Sequence, residues 1–307
     1  MKTLLSLCVL VLVILVGCGQ QQGSDIRTGT LEVLATESHL LLVQRQAEEY
    51  HRIFADVQVQ VLGMTTREAI VHMINDSTRC IVIDRSLNAE EREAVRQGGM
   101  SVVETEIARD ALAILTHSSN KTASLSIETL GSIVAGTVTI WNKIPSSKLT
   151  GPIELCLTGK NSGLYELLTR YFFTLERDVI PSFVAPSQSS VIEYVASHPF
   201  AIGVISFAAW KDTSRASDQR FKKYVHILDI QAMDKDGMEV VKLHQQNIYD
   251  LAYPLTYLLY VYTSEKSPGV AQGFSTFVAS MTGQKIFLDA GLVPKMMPYR
   301  VIQLTQE

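Results

Sequence analysis

Apolar and polar positions alternate along this chain in two rhythms. Leu31-Glu-Val-Leu-Ala35 reads as a strand, Leu40 to Phe54 repeats its apolar residues at helical spacing, and Val57-Gln-Val-Gln-Val-Leu62 returns to period-two alternation. Thr65 and Glu68 have the spacing of a capping box, so a helix is expected to open there and run to about Ile74. Cys80-Ile-Val-Ile83 is a short apolar strand that ends in a charge, Asp84. Further strands are expected over Ala111–Leu115, Ile153–Leu157, Ala201–Ile205 and Leu255–Thr263, with helices near Ile127–Val134 and Ser189–Ala196. Asp234-Lys-Asp-Gly237 lies between two strand-like runs and reads as a hairpin turn. The chain then closes in helices and Gly291-Leu-Val-Pro294. Strands alternating with helices predict layered α/β architecture, and no internal repeat is present.

One stretch carries chemistry as well as structure. CLTGKNSGLYELLTRYFF, Cys156 to Phe173, is a strand broken by Gly159 and Asn161-Ser162-Gly163. It resumes with Leu164, Leu167, Leu168, Tyr171 and Phe172 at helical spacing. Such a junction aims free backbone N–H groups and a helix N-terminus at one spot, which suits an anion. Similar junctions occur at Thr36–Ser38 and Thr65–Thr66, and ligands of open α/β sheets sit beyond the carboxyl ends of strands. The plainer account is that Ser and Thr at these places are helix caps, worth about 1 kcal/mol each. The loops alone do not separate the two.

Composition narrows the class. Residues 1–17 form a signal segment: Lys2 precedes the apolar run Leu4–Val16, too short for a permanent membrane span. Leu15-Val16-Gly17-Cys18 resembles the bacterial lipobox, which implies cleavage before Cys18 and lipid on its thiol, with 18–28 as a polar tether. The remaining length predicts two lobes. The net charge of −4, with no basic stretch interleaved with aromatics, argues against a nucleic-acid partner. Cys80 and Cys156 each sit in an apolar run and read as buried thiols rather than a disulfide. The seven histidines lack metal-ligand spacing, and Asp234–Gly237 lacks the later ligands of a calcium loop; no metal or cofactor is expected. Ser118-Ser-Asn-Lys121 fits Ser-x-x-Lys without its companion motifs, and Ser162 lacks a Gly-x-Ser-x-Gly frame, so an enzyme is not expected.

Six segments, in order from about residue 31 to 294, resemble the phosphate receptors of bacterial ABC importers. They are CIVIDRSLNAEE from Cys80, GTVTIWN from Gly136, NSGLYELL from Asn161, SSVIEYVASHPFAIGVISF from Ser189, NIYDLAYPLTYLLYVYT from Asn247 and GQKIFLDAGLVP from Gly283. The resemblance implies a two-lobed type II periplasmic-binding-protein fold, each lobe a central, mostly parallel sheet flanked by helices. Residues 29–112 plus 253–307 would form one lobe and 113–252 the other, with the hinge near Ala111–Leu115 and Leu255–Thr263. It implies a monomeric, lipid-anchored receptor in the bacterial envelope, facing periplasm or exterior, that binds a small anion and delivers it to an ABC permease. In that family an aspartate accepts the proton of phosphate; Asp84 matches it, and Ser162 and Gly163 match the Ser-Gly of the helix-start loop. Ser38, Thr65, Thr66 and Arg67 fall at the other ligand loops. The pattern also departs: Thr158 stands where the family has an arginine and Leu164 where it has threonine, while Glu37 sits in the first loop. Arg67, Arg85 and Lys160 are the cations able to compensate, unless they pair with acids such as Glu37 and Asp84 or stay solvated. A non-transport lipoprotein, sensor or interaction module on the same scaffold is the alternative.

Overall fold

The computed structural model describes residues 26–173, 178–212, 216–234, 237–265 and 268–297. The signal segment, Cys18 and most of the tether lie outside these residues. Strand β1 (Gly29–Thr36) leads into helix α1 (Leu40–Ile53), β2 (Val57–Met64), α2 (Thr66–Ile74), β3 (Cys80–Ile83) and α3 (Ala89–Gln97). The long β4 (Val103–His117) is followed by β5 (Ser124–Ser126), α4 (Ile127–Val134), β6 (Glu154–Thr158), α5 (Gly163–Phe172), β7 (Phe183–Ala185), α6 (Gln188–Ser197) and β8 (Ala201–Ser206). After α7 (Phe207–Lys211), α8 (Ala216–Lys222), β9 (Val225–Ile227), β10 (Asp229–Asp234), β11 (Gly237–Val241) and α9 (Gln245–Tyr249), β12 (Thr256–Thr263) crosses back. Helices α10 (Val270–Ala279) and α11 (Met281–Asp289) and the short β13 (Val293–Pro294) complete the described chain.

The main sheet runs β2-β1-β3-β12-β4-β8-β6-β7, with β9 and β13 also on β4. Two parallel trios, β2-β1-β3 and β8-β6-β7, are joined through antiparallel β12 and β4, so the sheet is mixed and the two lobes share its middle. Parallel neighbours need helical crossovers, which α1, α2, α5 and α6 supply. That geometry has a consequence for function: all strands of a parallel trio end at the same edge. The loops after β1, β2 and β3 in one lobe, and after β6, β7 and β8 in the other, therefore gather at facing edges.

Local signals account for most boundaries. The Thr65/Glu68 capping box forms as expected, and an equivalent box at Asn88/Glu91 opens α3, which the periodicity had not revealed. Helix α4 spans the predicted Ile127–Val134, and β10 and β11 pair antiparallel around the predicted turn. The β4 strand runs well beyond the expected Ala111–Leu115 because it serves both lobes: residues 103–111 pair with β12 and 112–116 with β8.

The core runs along both faces of the sheet and includes fully buried Val33, Ile107, Leu112, Val204 and Trp141. The Trp141 indole N–H donates to the Phe200 carbonyl at 2.8 Å, so the ring is buried with its polar edge satisfied. Cys80 and Cys156 are both buried free thiols, as the sequence suggested. Burial pushes the Cys156 thiol up to about 12 and the Cys80 thiol higher still. A thiolate is the reactive form, so both thiols are expected to be inert while the fold holds. In protein beginning at Gly19, a thiol reagent should label neither cysteine at neutral pH under native conditions and both in denaturant. Rapid native labelling of either would show that its strand opens.

Candidate functional site

The cleft is built where the loops of the two parallel trios face each other. Thr66 opens α2 and Asp84 follows β3. The Thr66 hydroxyl donates to Asp84 Oδ1 at 2.7 Å, and both residues are buried. Opposite them, Gly163 opens α5 from the other lobe. A Cβ on Gly163 would stand 1.7 Å from the same Asp84 oxygen, so the absence of a side chain is what admits the carboxylate. Three residues distant in sequence thus meet at one point, between the N-termini of two helices.

Other contacts close the seam. The Arg67 N–H donates to the Asn161 carbonyl at 3.4 Å, across the lobes. Gln188, first residue of α6, donates to the Ser38 hydroxyl and accepts from the Ser206 N–H at 2.8 Å. Tyr171 on α5 donates to the carbonyls of Thr256 and Pro254 beside β12. Arg85 is buried and bidentate to Glu91 of its own lobe, and it also pairs with Glu166 of α5.

The expected site residues therefore divide. Thr66, Asp84 and Gly163 are in direct contact. Ser162 is adjacent: its hydroxyl caps α5 by accepting the Tyr165 N–H at 3.3 Å and lies 2.8 Å from the Thr158 hydroxyl. Ser38 engages Gln188 instead. Thr65 is the N-cap of α2, and its hydroxyl is shared with Glu68. The Arg67 side chain is exposed. Of the cations considered as compensation, Arg85 is held by two glutamates and Lys160 by Asp178. Leu164, at the threonine position of the family pattern, is buried in the main core. The Lys121 ammonium donates to the Ser118 carbonyl at 2.9 Å.

Behind Asp84 lies a buried polar chain that the sequence did not reveal. The Thr36 hydroxyl is 3.1 Å from His39 Nδ1, and His39 Nε2 is 2.9 Å from Asp110 Oδ2. The Tyr257 hydroxyl donates to that oxygen at 2.9 Å and the Ala208 N–H at 3.4 Å, while the Ala111 N–H donates to Oδ1 at 2.8 Å. Asp110 is a lone acid within the apolar central run of β4, which was the available signal. Its partner Tyr257 is fixed by β4–β12 register. Burial drives the Tyr257 phenol well above its ordinary pKa, and the nearby Asp110 and Asp84 charges act in the same direction. Asp84 itself is raised above the usual carboxylate value by burial, with His39 and the Thr66 hydrogen bond opposing.

Asp84 itself lines a cavity of about 350 Å³ together with Arg85, Arg109, Arg170, Tyr171 and Tyr257, and two further cavities lie nearby. One of about 390 Å³ is lined by Glu37, Thr65, Thr158, Lys160, Ser162 and Pro186, and so contains the hydroxyls of the helix-start loops. The other, about 670 Å³, is lined by residues of both lobes, among them Ser38, Arg45, Gln188 and Lys211. Among the described residues no acid, histidine and cysteine cluster fits a metal ion, and no helix is long and apolar enough to cross a membrane. The arrangement offers hydroxyl and backbone donors with a buried carboxyl among them, suited to holding a small oxyanion.

Comparison with known proteins places this geometry. The chain is 25% identical over 294 residues to the phosphate-binding protein PstS of Pseudomonas aeruginosa, covering 89% of this chain and 85% of the relative. A Clostridium perfringens chain solved with bound phosphate superposes with a TM-score of 0.72 at 20% identity, covering 87% of this chain and 100% of that one. An ABC-type phosphate transport receptor from Vibrio cholerae gives 0.66 at 18%, covering 86% and 99%. These likenesses carry the two-lobed type II fold. The profile of the PBP superfamily domain matches residues 20–282, and the chain belongs to that superfamily.

Proposed function

We propose that this chain is a lipid-anchored, extracytoplasmic solute-binding protein that takes phosphate or a related oxyanion and delivers it to an ABC importer. The observation that carries this reading is the meeting of Thr66, Asp84 and Gly163 from loops of both lobes, in a chain whose relatives are named phosphate-binding proteins. Residues 29–112 plus 253–307 form one lobe in this reading and 113–252 the other, with β4 and β12 as the hinge. An anion held between them stabilises the closed arrangement by its greater affinity for that form.

The donors assigned to the anion are the Ser162 hydroxyl and the N–H groups at the start of α5, with Asp84, held by the Thr66 hydroxyl, as their acidic partner. Ser38, Thr65 and Arg67 border the cleft; Arg67, being exposed, contributes attraction at the mouth rather than a buried contact. Lipid on Cys18 ties the monomer to a membrane of the cell envelope, facing periplasm or exterior, through the 18–28 tether.

A second reading is a non-transport sensor or interaction module. It draws on Thr158 standing in place of an arginine and on the burial of Leu164.

Calorimetry with inorganic phosphate separates the two. The receptor reading expects dissociation constants in the micromolar range or below. Ser162→Ala removes a donor and should weaken binding by ~0.5–1.5 kcal/mol. Gly163→Ala drives a methyl into Asp84 and should cost at least about a hundredfold in affinity, through displacement of the carboxylate. Absence of heat and of thermal shift with phosphate, sulfate and small organic anions would leave only the second reading. The anchor has its own test in cell fractionation. Cys18→Ala should move the protein from the membrane to the soluble fraction, and unchanged membrane association would remove the lipid from the proposal.

A further inference from the structure

The donors at the start of α5 open onto far more space than a five-atom anion fills. The cavity of about 390 Å³ that holds Ser162 meets the one of about 670 Å³ along a shared wall. Glu37 lines both, and the consecutive Pro186 and Ser187 line one each. About 300–1,000 Å³ is usual for the site of an organic molecule of drug size, so the larger chamber alone falls in that range. Its walls come from both sides of the seam. Leu40 and Arg45 belong to α1, Ile192 to α6, Ala209 and Lys211 to α7, and Leu288 to α11.

The lining decides what kind of organic group fits. None of its residues is aromatic, so a nucleobase finds no ring to stack on. Arg45 and Lys211 share the chamber with Glu37, Asp212 and Asp289. Two cations against three carboxylates leave no surplus of positive charge for a second anionic group. Hydrogen-bonding groups stand between the apolar ones. The Ser38 hydroxyl accepts from the Gln188 amide, which leaves its own proton to be donated elsewhere. The Gln245 amide nitrogen donates to the Leu288 and Leu292 carbonyls at 3.0 and 2.6 Å, which leaves its oxygen as an acceptor. A neutral, hydroxylated carbon skeleton matches this mixture of donors, acceptors and apolar wall.

We propose that the ligand is a phosphate monoester of a small polyol, with its phosphoryl group at Ser162 and the start of α5 and its alcohol part in the chamber between α1, α6 and α7. The inference rests on the oxyanion reading above and narrows the anion it takes. A monoester keeps three free phosphoryl oxygens for the loop donors, and its fourth oxygen leads the carbon skeleton past Glu37 into the chamber. The Glu37 carboxylate can only accept, so it repels a bare anion at the junction and welcomes an alcohol hydroxyl. Binding makes and breaks no covalent bond.

The test is calorimetry of protein beginning at Gly19 with glucose 6-phosphate, glycerol 3-phosphate, adenosine 5′-monophosphate and inorganic phosphate. At least one of the two polyol esters should bind about threefold or more tighter than inorganic phosphate, and tighter than the nucleotide. Ala209 lines the larger cavity and not the one that holds Ser162. Ala209→Trp should therefore cancel the ester's advantage while inorganic phosphate stays within about threefold of the parent. The same block is made after folding in Ala209→Cys with a bulky maleimide, since Cys80 and Cys156 are buried. Inorganic phosphate binding with neither ester tighter by about threefold overturns the inference and leaves the oxyanion reading standing. So does an ester advantage that the two blocks leave intact, or a nucleotide bound as tightly as the better ester. Silence toward all four compounds overturns the inference and the oxyanion reading together.

Discussion

A carboxyl group in a dry seam between two lobes is the constraint around which the rest of this structure is arranged. Asp84 is almost wholly buried, touches the opposite lobe at Gly163, and has a threonine hydroxyl rather than a cation as its bonded partner. An isolated ion in such a place costs several kcal/mol even after relaxation. A helix N-terminus returns only about 0.3–2 kcal/mol. Asp110 and Asp84 both act on the Tyr257 phenol, so two acids share one buried neighbourhood. The Thr66 hydroxyl bound to Asp84, the His39 imidazole and the charge of neighbouring Arg85 are what oppose that cost.

The same accounting explains the place of Arg85. Its guanidinium lies one residue from Asp84, yet it forks onto Glu91 and reaches Glu166 across the cleft. Glu91 is also the third residue of α3, where its carboxylate closes the Asn88 capping box. One side chain therefore starts a helix and fixes the arginine that ties the lobes together. The cation nearest in sequence to Asp84 is consumed in joining lobes, and the lysine of the helix-start loop is consumed by Asp178. The cations left near the centre are Arg109 and Arg170, which line the same cavity as Asp84.

Much of the fold was legible because it is written locally. The strand at Val57, the capping box at Thr65 and the helix at Ile127 depend on residues within a few positions of one another, and each appears where its pattern places it. The Asn88/Glu91 box carried the same signal and opens a helix of low apolar content, which is why periodicity missed it. The partners of Arg85 were not legible. An arginine beside an aspartate suggests a pair, but a side chain chooses partners by direction, and the backbone after β3 sends Arg85 toward α3 and α5. His39, Asp110 and Tyr257 were hidden for a related reason. Their meeting depends on the register that sets Tyr257 opposite Asp110, a property of the assembled sheet rather than of either strand.

That register links the cleft to the two strands in the middle of the sheet that the lobes share. The loop bearing Ser38 also bears Thr36 and His39, so it is bonded through the imidazole to Asp110 on β4 and through that carboxylate to Tyr257 on β12. The Ala208 N–H from the start of α7 reaches the same carboxylate from the second lobe. Both strands that run between the lobes, and one loop from each lobe, therefore converge on a single buried oxygen. A displacement of the first ligand loop must bend this chain of hydrogen bonds or break it, because no member has water to replace a lost partner. The polar network is what makes the loop's position and the strands' position one variable.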